Sequence, residues 1–466
     1  MADSNGATRP GTSFPFMDKP RVLILYEHHW MHIKTIAHYL EAFHRYSSLE
    51  ISYISSLSRC HFDLDYFDAV VLHYSVRVCH PGHLSQSFEK ALRNYRGTKV
   101  LFLQDEYENT NATYGAITRL GINIVFSVVP EPSLAKVYPP ERFPNVRFQR
   151  ILTGYVPLDW EGIEKGPPLR ERPLLIGYRG RNVGYWYGDL AREKVDIGRR
   201  MKELCDRRGL PTDIAWEEED RIYGDAWFRF LGQCKATLGT ESGANIFDYD
   251  GSLAANVRRD LLKNPNLTYQ EIHDKYLRDR EGEIKMNQIS PKIFEAIACR
   301  TALVLYEGSY SGVLAPGRHY IPLKKDFSNV EEVLGKLADD SYLEQMEQRT
   351  YEEIILSGAY SYRAFVQQFD EILKQTLPSR LQSSPPWLPL PPCDALPRFT
   401  RNYRKNFQRH WLKRVWQSLP GSVRFVLRPF VSRQRLKNLW IVAPRPIKFL
   451  LQPLLHHFKI MLKRGF

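Results

Sequence analysis

In residues 288–300, QISPKIFEAIACR, a single carboxylate stands among apolar residues just past a polar turn. Ser290 and Pro291 form a helix-start signal, and Ile293, Phe294, Ile297 and Ala298 recur at the spacing of one buried helix face. Glu295 lies off that face, near the helix start, free to meet a ligand. As a purely structural residue it would complement the helix macrodipole. In LLIGYRGR, Arg179 and Arg181 follow an apolar stretch. There they can form bidentate hydrogen bonds to a diphosphate or remain solvated loop charges. The loop LGTESGAN combines Gly239, Glu241 and Gly243. That composition lets the backbone approach a nucleotide or sugar closely, and it equally suits a plain tight turn.

The first half carries acids and imidazoles. YEHHWMH places Glu27, His28, His29 and His32 after an apolar run. His28 and His29 are candidates for a base or a substrate hydrogen bond, since imidazole keeps a neutral fraction near pH 7. No metal site is expected, because clustered histidines in a loop are often only polar surface. The run TKVLFL delivers QDEYE, so Asp105 is the best candidate base, with Glu106 beside it.

Strands alternating with helices must position these residues. Strands are expected at residues 21–26, 50–54, 67–73, 98–103, 122–129 and 146–152, with helices such as 32–45 and 84–95. A second series has strands at 174–178, 213–216, 236–239, 301–305 and 319–323, and helices at 190–208, 225–233, 330–337 and 362–373. The expected class is α/β with two mainly parallel Rossmann-like domains, residues 21–158 and 173–377. Residues 245–286 form a polar, mostly helical insertion that flanks the site. Residues 1–20 are expected to be a disordered leader, and the proline-dense residues 378–397 a semi-rigid linker.

The net charge of +13 is unevenly spread. Residues 398–466 hold 17 Lys and Arg and no acid, leaving 65 − 17 = 48 basic against 52 acidic residues before them. Tyr403, Phe407, Trp411 and Val415 recur every four residues, giving this tail an apolar stripe among cations. An anionic membrane surface is the expected partner, with nucleic acid the less favoured rival and a disordered tail the bland alternative. Six cysteines without CxxC spacing fit a reducing cytosol, and the first twenty residues lack a secretory core. The expected place is the cytoplasmic face of a membrane.

After the QISPK turn and its helix come a strand, TALVLYEG, a turn, a second strand, HYIPL, and a helix opened by KKDFSNVEEVLGKLADD, with Ser328 and Glu331 as a capping box. This order resembles the donor-binding half of GT-B glycosyltransferases, of the glycosyl transferases group 1 type and especially the group similar to CgeB-type spore proteins. The resemblance spans roughly residues 21–373 and is better in the second domain. It implies a nucleotide-sugar donor as substrate, no cofactor, no tightly held metal, and a saccharide or lipid-linked acceptor. It also implies donor contacts from Arg179, Arg181, Gly239, Glu241, Asn287, Lys292 and Glu295. Many similar retaining enzymes carry two glutamates with seven residues between them; here Glu295 matches the second and Asn287 stands at the first. Arg300 replaces a common glycine, and the glycine-rich turn usual after the first strand is absent. The alternatives are a nucleotide-sugar-processing enzyme such as an epimerase, and a catalytically silent binding or scaffold protein of the same fold.

Overall fold

The computed structural model describes residues 19–377. The expectations for the leader, the proline-rich linker and the basic tail lie outside the described residues, apart from Lys19 and Pro20. In the first domain β1 (Arg21–Tyr26), α1 (Lys34–Tyr46), β2 (Glu50–Ser55), β3 (Ala69–Leu72), α2 (Gln86–Asn94), β4 (Thr98–Phe102), α3 (Thr110–Leu120), β5 (Ile124–Ser127), α4 (Glu131–Val137) and β6 (Arg147–Arg150) build a sheet of order β2-β1-β3-β4-β5-β6. All of its pairs are parallel. Continuous apolar runs such as RVLILY and AVVL suit strands buried on both faces, as parallel crossovers require.

The second domain contains β7 (Leu174–Arg179), α5 (Asp189–Arg208), β8 (Thr212–Ala215), α6 (Asp225–Gly232), β9 (Cys234–Gly239), α7 (Ser252–Lys263), α8 (Tyr269–Ile272), α9 (Pro291–Ala298), β10 (Ala302–Tyr306) and β11 (Ile321–Leu323). After them come α10 (Val330–Ala338), α11 (Asp340–Thr350) and α12 (Tyr362–Thr376). Its sheet, β11-β10-β9-β7-β8, is also parallel throughout. The strand order reverses between β7 and β9, and in such sheets the crevice outside the carboxyl ends at the reversal holds the ligand.

Two expectations change. The last helix does not belong with the second domain. Tyr362, Phe365, Val366, Phe369, Ile372 and Leu373 of α12 enter the first domain's core, with Phe365 4.7 Å from Tyr39 and Phe369 4.8 Å from Phe43 between ring centres. Asp370 fixes the return by accepting from the Ser47 hydroxyl at 2.8 Å and the Ser48 amide at 2.6 Å. The capping box also fails: Asn329, not Ser328, precedes α10, and Glu331 pairs with Arg208 of α5 instead.

The insertion contributes α7, α8 and no strand. Phe247, Ile284 and Met286 pack into the first domain's core, and the Asp248 amide donates to the Tyr107 carbonyl at 2.9 Å. The insertion therefore ties the two domains together along one side of the cleft. Among the described residues no helix is long and apolar enough to cross a membrane.

Candidate active site

Two adjoining cavities open at the carboxyl ends of the strands. The larger, about 730 Å³, lies between the domains and is lined by Asp105, Glu108, Arg181, Trp186, Lys194 and Arg258 among others. The smaller, about 230 Å³, lies within the second domain and is lined by Arg181, Lys194, Trp227, Gly239, Ser242 and Lys292 among others. Arg181, Lys194 and Ser242 face both.

Local chain geometry explains how they meet. Arg181 extends from the loop just beyond β7, and Lys194 lies in the second turn of α5. At Gly239, ending β9, a Cβ would fall 2.6 Å from a Leu305 methyl, so any side chain there would displace the Leu305 tip from its packing between β9 and β10. Gly243 has φ +110°, and a Cβ there would meet the Met286 carbonyl at 2.0 Å. Its neighbour Ser242 pairs through its backbone with Gln288, at 2.7 and 2.8 Å, which brings the segment before α9 against the end of β9.

The cations here are poorly compensated. Arg181 makes no hydrogen bond or ion pair among the described residues, and neither does the Lys194 ammonium. Lys292 donates to the Arg179 carbonyl at 2.9 Å. Although the residue is exposed, desolvation by its surroundings lowers its pKa to about 8, and nearby Arg221, Lys194 and Arg181 push the same way against Glu295. Burial also lowers the pKa of Lys194, opposed by the charge of Asp105 across the cleft. Such a cluster favours an anion that desolvation has made it costly to do without.

Asp105 lies beyond β4 with a left-handed backbone, φ +53°, and accepts from the Tyr107 hydroxyl at 2.7 Å. A strained non-glycine residue at a cleft is a mark of functional positioning. Beside it Glu108 accepts from Arg77 at 2.6 Å and from Tyr187 of the second domain at 2.5 Å. Burial alone would raise its pKa, but these bonds outweigh that and hold it low.

Other candidates prove to be scaffold. Glu106 is 2% exposed and lines neither cavity. It accepts from the Ser127 hydroxyl and the Val128 amide, at 2.9 and 2.8 Å, and from Tyr138. Burial raises its pKa to about 7 despite these donors. His28 and His29 also leave the cleft: His28 Nδ1 bonds Ser55 at 2.9 Å and His29 Nδ1 bonds Glu27 at 2.9 Å. Glu27, fully buried, is further bonded by His83. Burial would raise its pKa, but the two histidines reverse the shift and bring it to about 2.

Arg179 is corrected as well. Its guanidinium donates to the carbonyls of Tyr178, Asp213 and Asp220 and to the Asp213 carboxylate at 2.7 Å, and stacks 4.4 Å over Phe230. It braces β7 against β8 at the edge of the smaller cavity, with most of its donors already engaged within the chain. Glu295 is not free either. It accepts from the Trp227 indole at 2.7 Å, burial raises its pKa, and it lines neither cavity. Glu241 accepts from the Ser309 and Tyr310 amides, at 3.0 and 2.8 Å, and from the Asn287 amide at 2.6 Å. The structure thus joins the buried Glu241 to the half-buried Asn287.

Lys194, Arg258, Trp227 and the Arg77–Glu108 pair were not foreseen. A lysine in the second turn of the helix following the arginine loop was the available signal for Lys194. Arg258 is on the insertion, 4.2 Å over the Trp186 ring, a contact that sequence spacing does not encode.

No family model matches the sequence, and no curated protein matches it. Among solved structures the chain is similar to an alpha-glucosyltransferase in complex with UDP and a 13-mer DNA containing an HMU base, at 10% identity and TM-score 0.45, covering 77% of this chain and 100% of that one. It is similar to sucrose-phosphate synthase from Thermosynechococcus elongatus, at 8% identity and TM-score 0.41, covering 77% and 99%. It is also similar to HepE from Anabaena in complex with UDP and glucose, at 10% identity and TM-score 0.41, covering 76% and 100%. Two parallel Rossmann-like domains of six and five strands share one cleft. The architecture is GT-B. The likenesses are too distant to assign chemistry, so the function of this GT-B chain rests on its own residues.

Proposed function

We propose that the chain is a glycosyltransferase that moves a sugar from a nucleoside-diphosphate donor to a hydroxyl of a saccharide or lipid-linked acceptor. The observation that carries this reading is the convergence of Arg181, Lys194 and Lys292, none in an ion pair with a carboxylate among the described residues, opposite Asp105. A diphosphate fits these cations and the start of α9, where Ser290, Lys292 and Ile293 line the smaller cavity. Trp227, held by Glu295, supplies a flat wall for the base, so Glu295 acts as a positioning residue.

In the reaction the bond from the anomeric carbon to the diphosphate oxygen breaks, with the electron pair leaving on that oxygen. The acceptor oxygen forms the new bond to the anomeric carbon, and its proton passes to Asp105. The cations stabilise charge developing on the leaving group, a form of preorganised electrostatic catalysis. Action at a cytoplasmic membrane face is supported by the sequence of residues 398–466 alone. Loss of binding to anionic vesicles on removal of that segment would test it.

A silent binding protein is the second reading, favoured by Asn287 in place of an acid and its bond to Glu241. The deciding experiment incubates the protein with a panel of nucleotide sugars, with and without oligosaccharide acceptors, and measures nucleoside-diphosphate release and products. Release that Asp105→Asn reduces, with donor affinity unchanged, supports transfer. Binding without release or transfer supports the silent protein, and donor isomerisation without acceptor supports an epimerase.

A further inference from the structure

Away from the cleft, three side chains that ligate metals come together from separate regions. They are Asp189, the first residue of α5, His273, which opens the π-helical turn His273–Leu277 after α8, and Glu281, near the end of the insertion. Their ligand atoms all lie within 4.8 Å of one another. His273 Nε2 is 3.9 Å from Glu281 Oε2, and Nδ1 is 3.7 Å from Asp274 Oδ1, both beyond hydrogen-bond reach. Both ring nitrogens are shut off from solvent and hydrogen-bond nothing. Leaving them so costs free energy that a bound ion would recover.

The local charge points the same way. Asp189 and Glu281 face the ring with Asp274 beside it, and of the neighbouring cations one is engaged elsewhere and one answers Asp274 alone. Arg192 lies over Tyr185 and Tyr269 and pairs with Asp196, and Arg278 pairs with Asp274. The carboxylates are already oriented: Tyr269 donates to Asp189 Oδ1 at 2.6 Å, and the Asp189 amide donates to Glu281 Oε2 at 3.2 Å. Outer hydrogen bonds of this kind fix ligating groups. Gly188 has φ +79°, and a Cβ there would come within 2.4 Å of Glu281 Oε2, so this spot requires glycine.

We propose that Asp189, His273 and Glu281 hold a divalent transition-metal ion, zinc first, with water completing its shell. One imidazole and two carboxylates suit such an ion. With arms of about 2.0 to 2.1 Å, tetrahedral ligand atoms stand about 3.4 Å apart, so the His273–Glu281 gap has to close by roughly half an ångström. The ion ties the insertion to the start of α5, the helix that carries Lys194 and follows the turn bearing Trp186 and Tyr187. This role is structural, it departs from the expectation of a metal-free protein, and it is independent of the proposed transfer reaction.

Untagged full-length protein, stripped with a chelator, is titrated with zinc chloride by calorimetry and with cobalt(II) by visible absorption. The wild type is expected to bind one equivalent that raises its melting temperature and gives the bands of low-coordinate cobalt. His273→Ala and Glu281→Gln are expected to weaken that equivalent at least tenfold and lose the bands, while His61→Ala, on the exposed surface, retains both. Circular dichroism verifies that each variant is folded, and Asp189→Asn replaces any that is not. Absence of stoichiometric binding by the wild type, or unchanged binding in the folded ligand variants, overturns the proposal.

Discussion

The loops that follow β1 and β7 occupy equivalent places in the two domains, yet they treat charge in opposite ways. After β1, Glu27 is fully buried and answered by His29 and His83, so the loop is closed on itself. After β7, Arg181 is exposed to the cleft and makes no hydrogen bond or ion pair among the described residues. The contrast recurs within one strand end, where Arg179 donates to Asp213, Asp220 and Tyr178 while Arg181, two residues on, makes no hydrogen bond or ion pair among the described residues. Position after a parallel strand is therefore insufficient to mark a site. Charge left without internal compensation distinguishes the binding surface from the scaffold.

The largest effect is expected where compensation is complete. Glu27→Gln should destabilise the fold by about 3 to 5 kcal/mol, the usual cost of breaking a buried charged network, read as a shift in chemical denaturation. The same network gives an acid limit. The folded pKa of Glu27, about 2, lies below its ordinary 4.5, so its contribution is fully present above pH 4.5 and is lost as pH falls through about 2. The wild type should lose stability over that interval more steeply than Glu27→Gln. Equal acid profiles would contradict the assignment.

Next comes the uncompensated region. Lys194→Ala should weaken nucleoside-diphosphate binding by about 1.5 to 3 kcal/mol, the range for hydrogen bonds to charged groups, with little change for the nucleoside alone. Isothermal titration with both ligands separates the two, and equal losses would assign Lys194 to the scaffold.

The smallest effect is in pH dependence. Lys292 begins to lose its proton near pH 8 in the free protein, and a bound diphosphate raises that pKa. Affinity should therefore be full below about pH 8 and decline as pH rises above it, and Lys292→Arg should remove the decline because guanidinium stays charged. A pH-independent affinity in the wild type would exclude Lys292 from diphosphate contact.

The strands were legible because burial on both faces leaves unbroken apolar runs, as in RVLILY of β1 and ALVLY of β10. The edge strand β6, RFQR, has no such run and is only half-buried. The amphipathic pattern of α12 showed that one face is buried but not which domain covers it, so its return to Tyr39 and Phe43 was hidden. The failed cap at Ser328 has a similar cause, since Glu331 is drawn to Arg208 far away in sequence. In the site, residue type and the place after each strand pointed to Asp105, Arg179, Arg181, Gly239 and Lys292, all of which line the cavities. They could not separate Arg181 from Arg179 or Asp105 from Glu106, because the distinguishing partners, Asp213 and Asp220 for one and Ser127 and Tyr138 for the other, are remote in sequence. The glutamate pattern misled for a related reason, as Trp227 reaches Glu295 from another helix.

Nucleoside-diphosphate affinity measured in Arg179→Ala and Arg181→Ala side by side, each confirmed folded by its thermal transition, separates compensated from uncompensated charge. Arg181→Ala is expected to lose at least tenfold in affinity at nearly wild-type stability, while Arg179→Ala melts at a lower temperature and binds within about twofold of wild type, a tenfold change being about 1.4 kcal/mol. An Arg179→Ala loss as large as that of Arg181→Ala, or undiminished affinity in Arg181→Ala, would contradict it.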